Sequence, residues 1–227
     1  MNILAIETAT EYCSVALQSG TGILSRRQHA PRQHASLLLP WVEQLLAEAG
    51  LTLGQLDAIA YGRGPGSFTS LRLGIGVVQG LAFGADIGVH GVSSLAALAQ
   101  SWSAAITGQV LLVATDARMK EVFTGLFEAG ADGLVAETTG ETVCSPGEIE
   151  LPPGPCFGLG NGFSSYQDAL VNRLGEKLEG MDADCWPDAR SVIRLAVDPV
   201  GRGEVHSAEQ ALPRYIRNQV AEKPGLT

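Results

Sequence analysis

One short pattern occurs twice in this chain. Residues 2–6 are an apolar run that ends on an acidic residue, Glu7. A second run follows at 12–17, Gly20 and Gly22 mark a turn, and a third run spans 23–28. The same order restarts at 110–115, which ends on Asp116, continues at 122–127, turns at Gly130 and Gly133, and closes at 134–138. Short apolar runs punctuated by glycine read as strands, and three joined by tight connections make an antiparallel meander. Two meanders, whose acidic residues lie 109 positions apart, predict a duplicated domain with a boundary near Ile106-Thr107-Gly108. The expected domains are 1–107 and 108–227, the second with a tail able to pack back on the first.

Helical patterns follow the first meander. Leu38, Val42, Leu45 and Ala49 fall on one face, with Glu43 and Glu48 off it, so a helix is expected over 34–49. Gly50 is its natural stop. Pro40 must kink it or lie near its start. A strand at 56–61 leads into the loop Gly62-Arg63-Gly64-Pro65-Gly66-Ser67-Phe68-Thr69-Ser70-Leu71-Arg72, and a helix over 68–84 begins inside that loop with Ser67 as its expected N-cap. A strand at 87–90 and a helix from Ser93 or Ser94 through Trp102 complete an α/β pattern. The second half reads less regularly. Pro146, Pro152, Pro153 and Pro155 with Gly147 and Gly154 predict a loop-rich stretch. Val192, Leu195 and Ala196 mark a helix at 189–200, and the polar end after Arg217 is expected to fray.

With 45% hydrophobic and 17% charged residues, 227 residues supply a real core. A net charge of −9 disfavours autonomous binding to a phosphate backbone, but leaves open RNA chemistry in which a partner holds the RNA. The cysteines, Cys13, Cys144, Cys156 and Cys185, form no Cys-x-x-Cys pair, and no basic leader precedes Glu7. They read as reduced core residues of a cytoplasmic chain. Residues 73–89 are largely apolar, and Gly76, Gly80 and Gly84 repeat at four-residue spacing, as in packed membrane helices. Arg72, Gln79 and Asp86 interrupt the run below the length of about 20 residues that spans a bilayer. A buried or interface helix is therefore expected, with no membrane partner.

The loop at 62–72 admits two readings. It is a tight turn that lets a helix pack close to a sheet, or it binds phosphate through outward N–H groups. It carries no lysine, so it is not a P-loop, and Ser67 stands where the third glycine of a dinucleotide fingerprint belongs. Glu7 and Asp116 could hold Mg²⁺ through water or could be turn residues bonded to local backbone. His29 and His34 are five apart and His90 and His206 stand alone, so no metal site is expected. No Gly-x-Ser-x-Gly elbow occurs. Gly74, Gly76, Gly80 and Gly84 each cost a helix interior about 0.8–1 kcal/mol relative to alanine, so something must approach that helix closely. Either the chain's own sheet or a partner does so.

Several segments together resemble the bacterial TsaB (YeaZ) family. They are Ile3-Leu4-Ala5-Ile6-Glu7-Thr8-Ala9-Thr10 with Cys13-Ser14-Val15-Ala16-Leu17, the stretch Gly62-Arg63-Gly64-Pro65-Gly66-Ser67-Phe68-Thr69, Asp116-Ala117-Arg118-Met119 with Glu121-Val122, and Pro213, Tyr215 and Arg217. The likeness covers nearly the whole chain and is loose over 128–187. It implies two ribonuclease-H-like domains of the actin, Hsp70 and sugar-kinase type. It implies a cytoplasmic, non-catalytic subunit in the formation of threonylcarbamoyladenosine at position 37 of tRNA. Its partners would be the paralogous transferase TsaD and the small ATPase TsaE, with a homodimer when alone and tRNA contacted only indirectly. The paralogue's His-x-x-x-His metal pair corresponds here to Gly91 and Leu95, which cannot ligate a metal. The resemblance places partner contacts at Leu38, Trp41, Leu45, Thr69, Leu71, Arg72, Leu73 and Gly76. It implies no cofactor of the chain's own, with ATP or ADP contact at Gly64, Gly66 and Ser67 only at an interface of the assembled complex. Two residues depart from the family pattern: Glu7 stands where aspartate is usual, and Ser70 where glycine is. The rival readings are an ATP-dependent phosphotransferase of the same fold and a metallopeptidase.

Overall fold

A computed structural model describes residues 1–102 and 107–217, arranged around two mixed sheets. The first is built from β1 (Asn2–Glu7), β2 (Tyr12–Ser19), β3 (Gly22–His29), β4 (Ala58–Gly62) and β5 (Val89–Val92), in the order β3-β2-β1-β4-β5. Its first three strands are antiparallel, and β4 and β5 join β1 in parallel. The second contains β6 (Val110–Arg118), β7 (Glu121–Ala129), β8 (Val135–Glu137), β9 (Thr142–Cys144), β10 (Cys156–Leu159) and β11 (Leu178–Asp182). Read from β8 through β7, β6 and β10 to β11, it repeats the order and the strand directions of the first, with β9 added against β7. The duplication is therefore one of topology. The fold is α/β, with two ribonuclease-H-like sheets of the actin, Hsp70 and sugar-kinase type.

The strands β10 and β11 lie in a region that reads as irregular. The prolines at 152, 153 and 155 sit just outside β10, and four residues are too few to show a period. Gly180 lies within β11, with the Phe157 ring 2.6 Å from where a Cβ would stand. Between the two strands run α4 (Gly162–Ser165) and α5 (Gln167–Leu174).

Strand β1 is buried on both faces, and its side chains alternate between them. Leu4 and Ile6 join the core under α1 (His34–Ala49) and α2 (Phe68–Ala85). Ile3 and Ala5 face the other way, where Ala5, Ala16, Ala58 and Ala60 form a shallow floor for α6 (Ala189–Gly201), joined by Ala97 of α3 (Ser94–Ser101). A helix from the second half of the chain thus lies on the first sheet. Asp188 caps it by accepting from the Arg190 N–H at 2.7 Å, and the Ala189 N–H donates to Ser14 Oγ at 3.1 Å.

Helix α1 keeps Pro40 in its interior and ends on Gly50 in the left-handed region, φ 66°. Ser67 holds the expected N-cap position of α2, and its carbonyl accepts from the Leu71 N–H at 2.9 Å, but its hydroxyl donates to Ser70 Oγ at 3.1 Å and accepts from no backbone N–H. Serine 93 does cap α3, accepting from the N–H groups of Leu95 and Ala96, each at 3.1 Å. Among the described residues α2 is the helix long and apolar enough to cross a membrane by length and composition. It buries Leu71, Gly74, Ile75, Val78 and Ala82. The expected boundary residue Ile106 and the expected fraying end after Arg217 lie outside the described residues.

Candidate functional site

The glycine loop folds back on the end of β1. A Cβ at Gly62 would overlap the Glu7 carboxylate, and one at Gly66 would overlap the Ala9 carbonyl. Gly64 adopts φ 91°. Several of the loop's N–H groups are used inside the chain. Gly64 donates to Ser94 Oγ at 3.2 Å, and Ser67 donates to the Ala9 carbonyl at 2.7 Å. The Ser94 N–H returns a bond to the Gly64 carbonyl at 3.0 Å. Gly62 and Gly66 allow this close packing. Gly66 and Ser67 reach the cleft described below, while Gly64 is buried behind it.

Glu7 is 1% exposed. Its Oε1 accepts from the Ala9 N–H at 2.6 Å and its Oε2 from Ser94 Oγ at 2.9 Å. Burial outweighs these bonds and pushes its pKa up to about 7. Asp116 ends up differently. It lines the cleft and accepts from the Arg118 N–H of its own hairpin at 2.8 Å and from the Tyr166 hydroxyl, between α4 and α5, at 3.0 Å. Among the described residues no three His, Cys, Asp or Glu side chains cluster as metal ligands would. His34 lies 3.2 Å from the Tyr12 carbonyl, His29 3.3 Å from Glu11, and His90 2.7 Å from the Glu204 carbonyl. A side chain at Gly91 would press on the Tyr61 hydroxyl at 3.0 Å, and Leu95 is core.

A cleft of about 550 Å³ separates the two sheets. The turn at 9–11 and the start of α2 wall it on one side and the β6–β7 hairpin on the other, and residues 214–217 line it between them. In that hairpin Arg118, Met119 and Lys120 all have positive φ, between 56° and 63°.

The expected partner residues separate into two groups. Thr69, Arg72 and Gly76 are exposed, and Trp41 and Leu73 are half-buried. Leu38 and Leu45 are 0% exposed and Leu71 3%. Leu38 and Leu45 face the core, and Leu71 lies buried at the cleft beside Gly64, so none of the three is on the exposed face of α1 and α2, which corrects their placement on that contact surface. The glycines also divide. A Cβ at Gly74 would overlap the Thr8 side chain, so this glycine lets α2 sit on the loop after β1. Around Gly76, Gly80 and Gly84 nothing lies within 4 Å of the Cβ position. Among the described residues the stripe faces open space and packs against nothing. Phe83 stands beside it at 72% exposure, and Leu39 of α1 is 47% exposed. Sequence reasoning missed both; the signal for Phe83 was its place three residues after Gly80, on the stripe's own face.

Residues 10–161 match the family model for TsaD, tRNA N6-adenosine threonylcarbamoyltransferase. The tRNA threonylcarbamoyladenosine biosynthesis protein TsaB of Escherichia coli K12 is 37% identical, over 98% of this chain and 97% of that protein. The protein of the same name from Haemophilus influenzae is 36% identical, over 98% and 96%. The solved structure of YeaZ from Pseudomonas aeruginosa superposes with a TM-score of 0.86 at 42% identity, over 94% of this chain and 99% of that one. These matches run nearly end to end, take in the glycine loop and both sheets, and show that the chain belongs to the TsaB (YeaZ) family.

Proposed function

We propose that this chain acts in tRNA threonylcarbamoyladenosine biosynthesis as a non-catalytic subunit, and that the exposed face of α1 and α2 docks a TsaD-like catalytic subunit. One observation carries the reading: the open stripe Gly76, Gly80 and Gly84, flanked by Phe83. Each glycine destabilises the helix by about 0.8–1 kcal/mol relative to alanine. Among the described residues no group approaches the stripe to compensate. A helix of another chain, seated against bare backbone, does so, and Phe83 and Leu39 supply apolar contact at its rim. The names of the relatives and of the matching family model support the pathway. With no partner present, the same face takes a second copy of the chain. A TsaE-like ATPase completes the assembly, nucleotide is contacted near Gly66 and Ser67 only there, and tRNA is reached through the catalytic subunit, consistent with a net charge of −9. The test is co-purification with the catalytic subunit, followed by a tRNA modification assay with and without this chain. Modification that proceeds equally well without it would refute the subunit role.

The inter-sheet cleft favours a second reading, an ATP-dependent phosphotransferase. Calorimetry with ATP and Mg²⁺ on the isolated chain decides between them: micromolar affinity with turnover would favour the kinase reading.

A further inference from the structure

The last described residues, 211–217, run along the cleft and bond alternately to its two walls. The Leu212 N–H donates to the Tyr61 hydroxyl at 3.1 Å and the Arg214 N–H to the Arg63 carbonyl at 2.7 Å, both on the first-sheet side. The Arg214 guanidinium then reaches Glu141 on the second-sheet side at 3.1 Å. Tyr215 returns to the first wall, where its hydroxyl accepts from Arg72 Nε at 2.8 Å. Arg217 crosses again and pairs with Glu121 at the start of β7. We propose that this segment is a strap that holds the cleft at its present width, with Tyr215 and Arg217 as its release points.

The anchors differ in kind along the segment. Toward residue 211 they are buried: Tyr61 is 4% exposed, and the Glu141 side chain is 0% exposed and also accepts from Ser93 Oγ. Losing Arg214 would strand a buried carboxylate, so this end is fixed. Toward residue 217 the anchors lie near solvent. Tyr215 is 50% exposed, and the Arg217–Glu121 pair is partly exposed on both members. Exposed pairs of this kind hold weakly and are screened by salt. Arg72 sits over the Phe68 ring, 3.7 Å from its centroid, so the grip on Tyr215 starts from the first turn of α2. On the closed side of the cleft the sheets stay joined through α3 and α6, which supplies the hinge. Opening the outer strap therefore widens the cleft without unfolding either sheet.

The strap belongs to the isolated chain and stands or falls apart from the docking reading. It is tested by hydrogen exchange on the unliganded full chain, comparing the parent with Tyr215→Phe, which removes only the hydroxyl, and with Tyr215→Ala/Arg217→Ala. The expected result is exchange faster by tenfold or more in the double variant at 67–72 and at the 115–121 hairpin, an intermediate rise for Tyr215→Phe, a smaller gap between parent and double variant in high salt, which screens the parent's Arg217–Glu121 pair, and unchanged protection in β1, β4, β6 and β10. Faster exchange confined to 214–217 would overturn the proposal. So would a uniform rise across both sheets, which would mark these residues as general stabilisers.

Discussion

Replacing Glu7 by glutamine should flatten the pH dependence of stability. The carboxyl is 1% exposed, and burial lifts its pKa from about 4.5, the ordinary value, to about 7. Between those values the folded chain keeps a proton that the unfolded chain has released. The folded state is thus favoured below pH 4.5, and that advantage is lost as pH rises through 7. At about 1.36 kcal/mol per pKa unit, the full swing is roughly 3 kcal/mol, of which about 2.5 kcal/mol falls between pH 5 and pH 8. Glutamine has nearly the same shape and does not titrate. It replaces one of the two acceptor oxygens that meet the Ala9 N–H and Ser94 Oγ, so its stability carries a constant offset, and only the slope is diagnostic. Glu141 is also raised by burial and tilts both proteins alike, so the difference between them isolates Glu7. Urea melts of parent and Glu7→Gln at pH 5, 6, 7 and 8 measure this. The parent should lose about 2.5 kcal/mol relative to the variant across the series. Parallel curves would show that Glu7 is ionised throughout in the folded state, and the assignment of a neutral buried carboxyl would fail.

Three further outcomes follow from the packing. Alanine at Gly76, Gly80 and Gly84 together should stabilise the isolated chain by about 2–3 kcal/mol, since each site is open and helical, and a thermal melt reads this directly. Gly74→Ala should do the opposite despite the same propensity gain, because its Cβ meets Thr8; a raised Tm would contradict the close packing of α2 on the loop after β1. Leu45→Ala should cost about 2–5 kcal/mol of stability while the folded fraction still docks its partner with parental affinity, as expected for a core residue. Affinity that falls with stability held by added osmolyte would return Leu45 to the contact surface.

The repeated strand pattern was legible because β1, β2 and their counterparts β6 and β7 are long enough to show apolar runs, and each ends on an acidic residue or a glycine turn. The strands β10 and β11 were not, because they are four and five residues long and are flanked or interrupted by proline and glycine. Their pairing is long-range, with β6 more than 40 residues upstream of β10, and no local signal encodes that. For the site, the glycine spacing in α2 showed that something approaches closely, but not what. Gly74 meets the chain itself and Gly76 meets solvent, although the two lie only two residues apart. Apolar residues on helices were ambiguous in the same way. Leu38, Leu45 and Leu71 proved to be core, while Phe83 and Leu39 proved to be surface, because hydrophobicity alone does not reveal which face a sheet will cover. A tail able to pack back on the first domain was expected, but its anchors, such as Tyr61 and Glu141, were not legible because they are distant in sequence.

The docking face is tested most directly by Gly76→Leu. Leucine is a good helix former, and the site is open, so the isolated variant should fold with a Tm at or above the parent's. Titration of the purified catalytic subunit with parent and variant, followed by calorimetry and size-exclusion chromatography, then reads the face alone. The account predicts loss of the heterodimer, with affinity weakened at least a hundredfold, from a chain that is no less stable. A variant that binds with parental affinity would show that the glycine stripe is not where the partner sits.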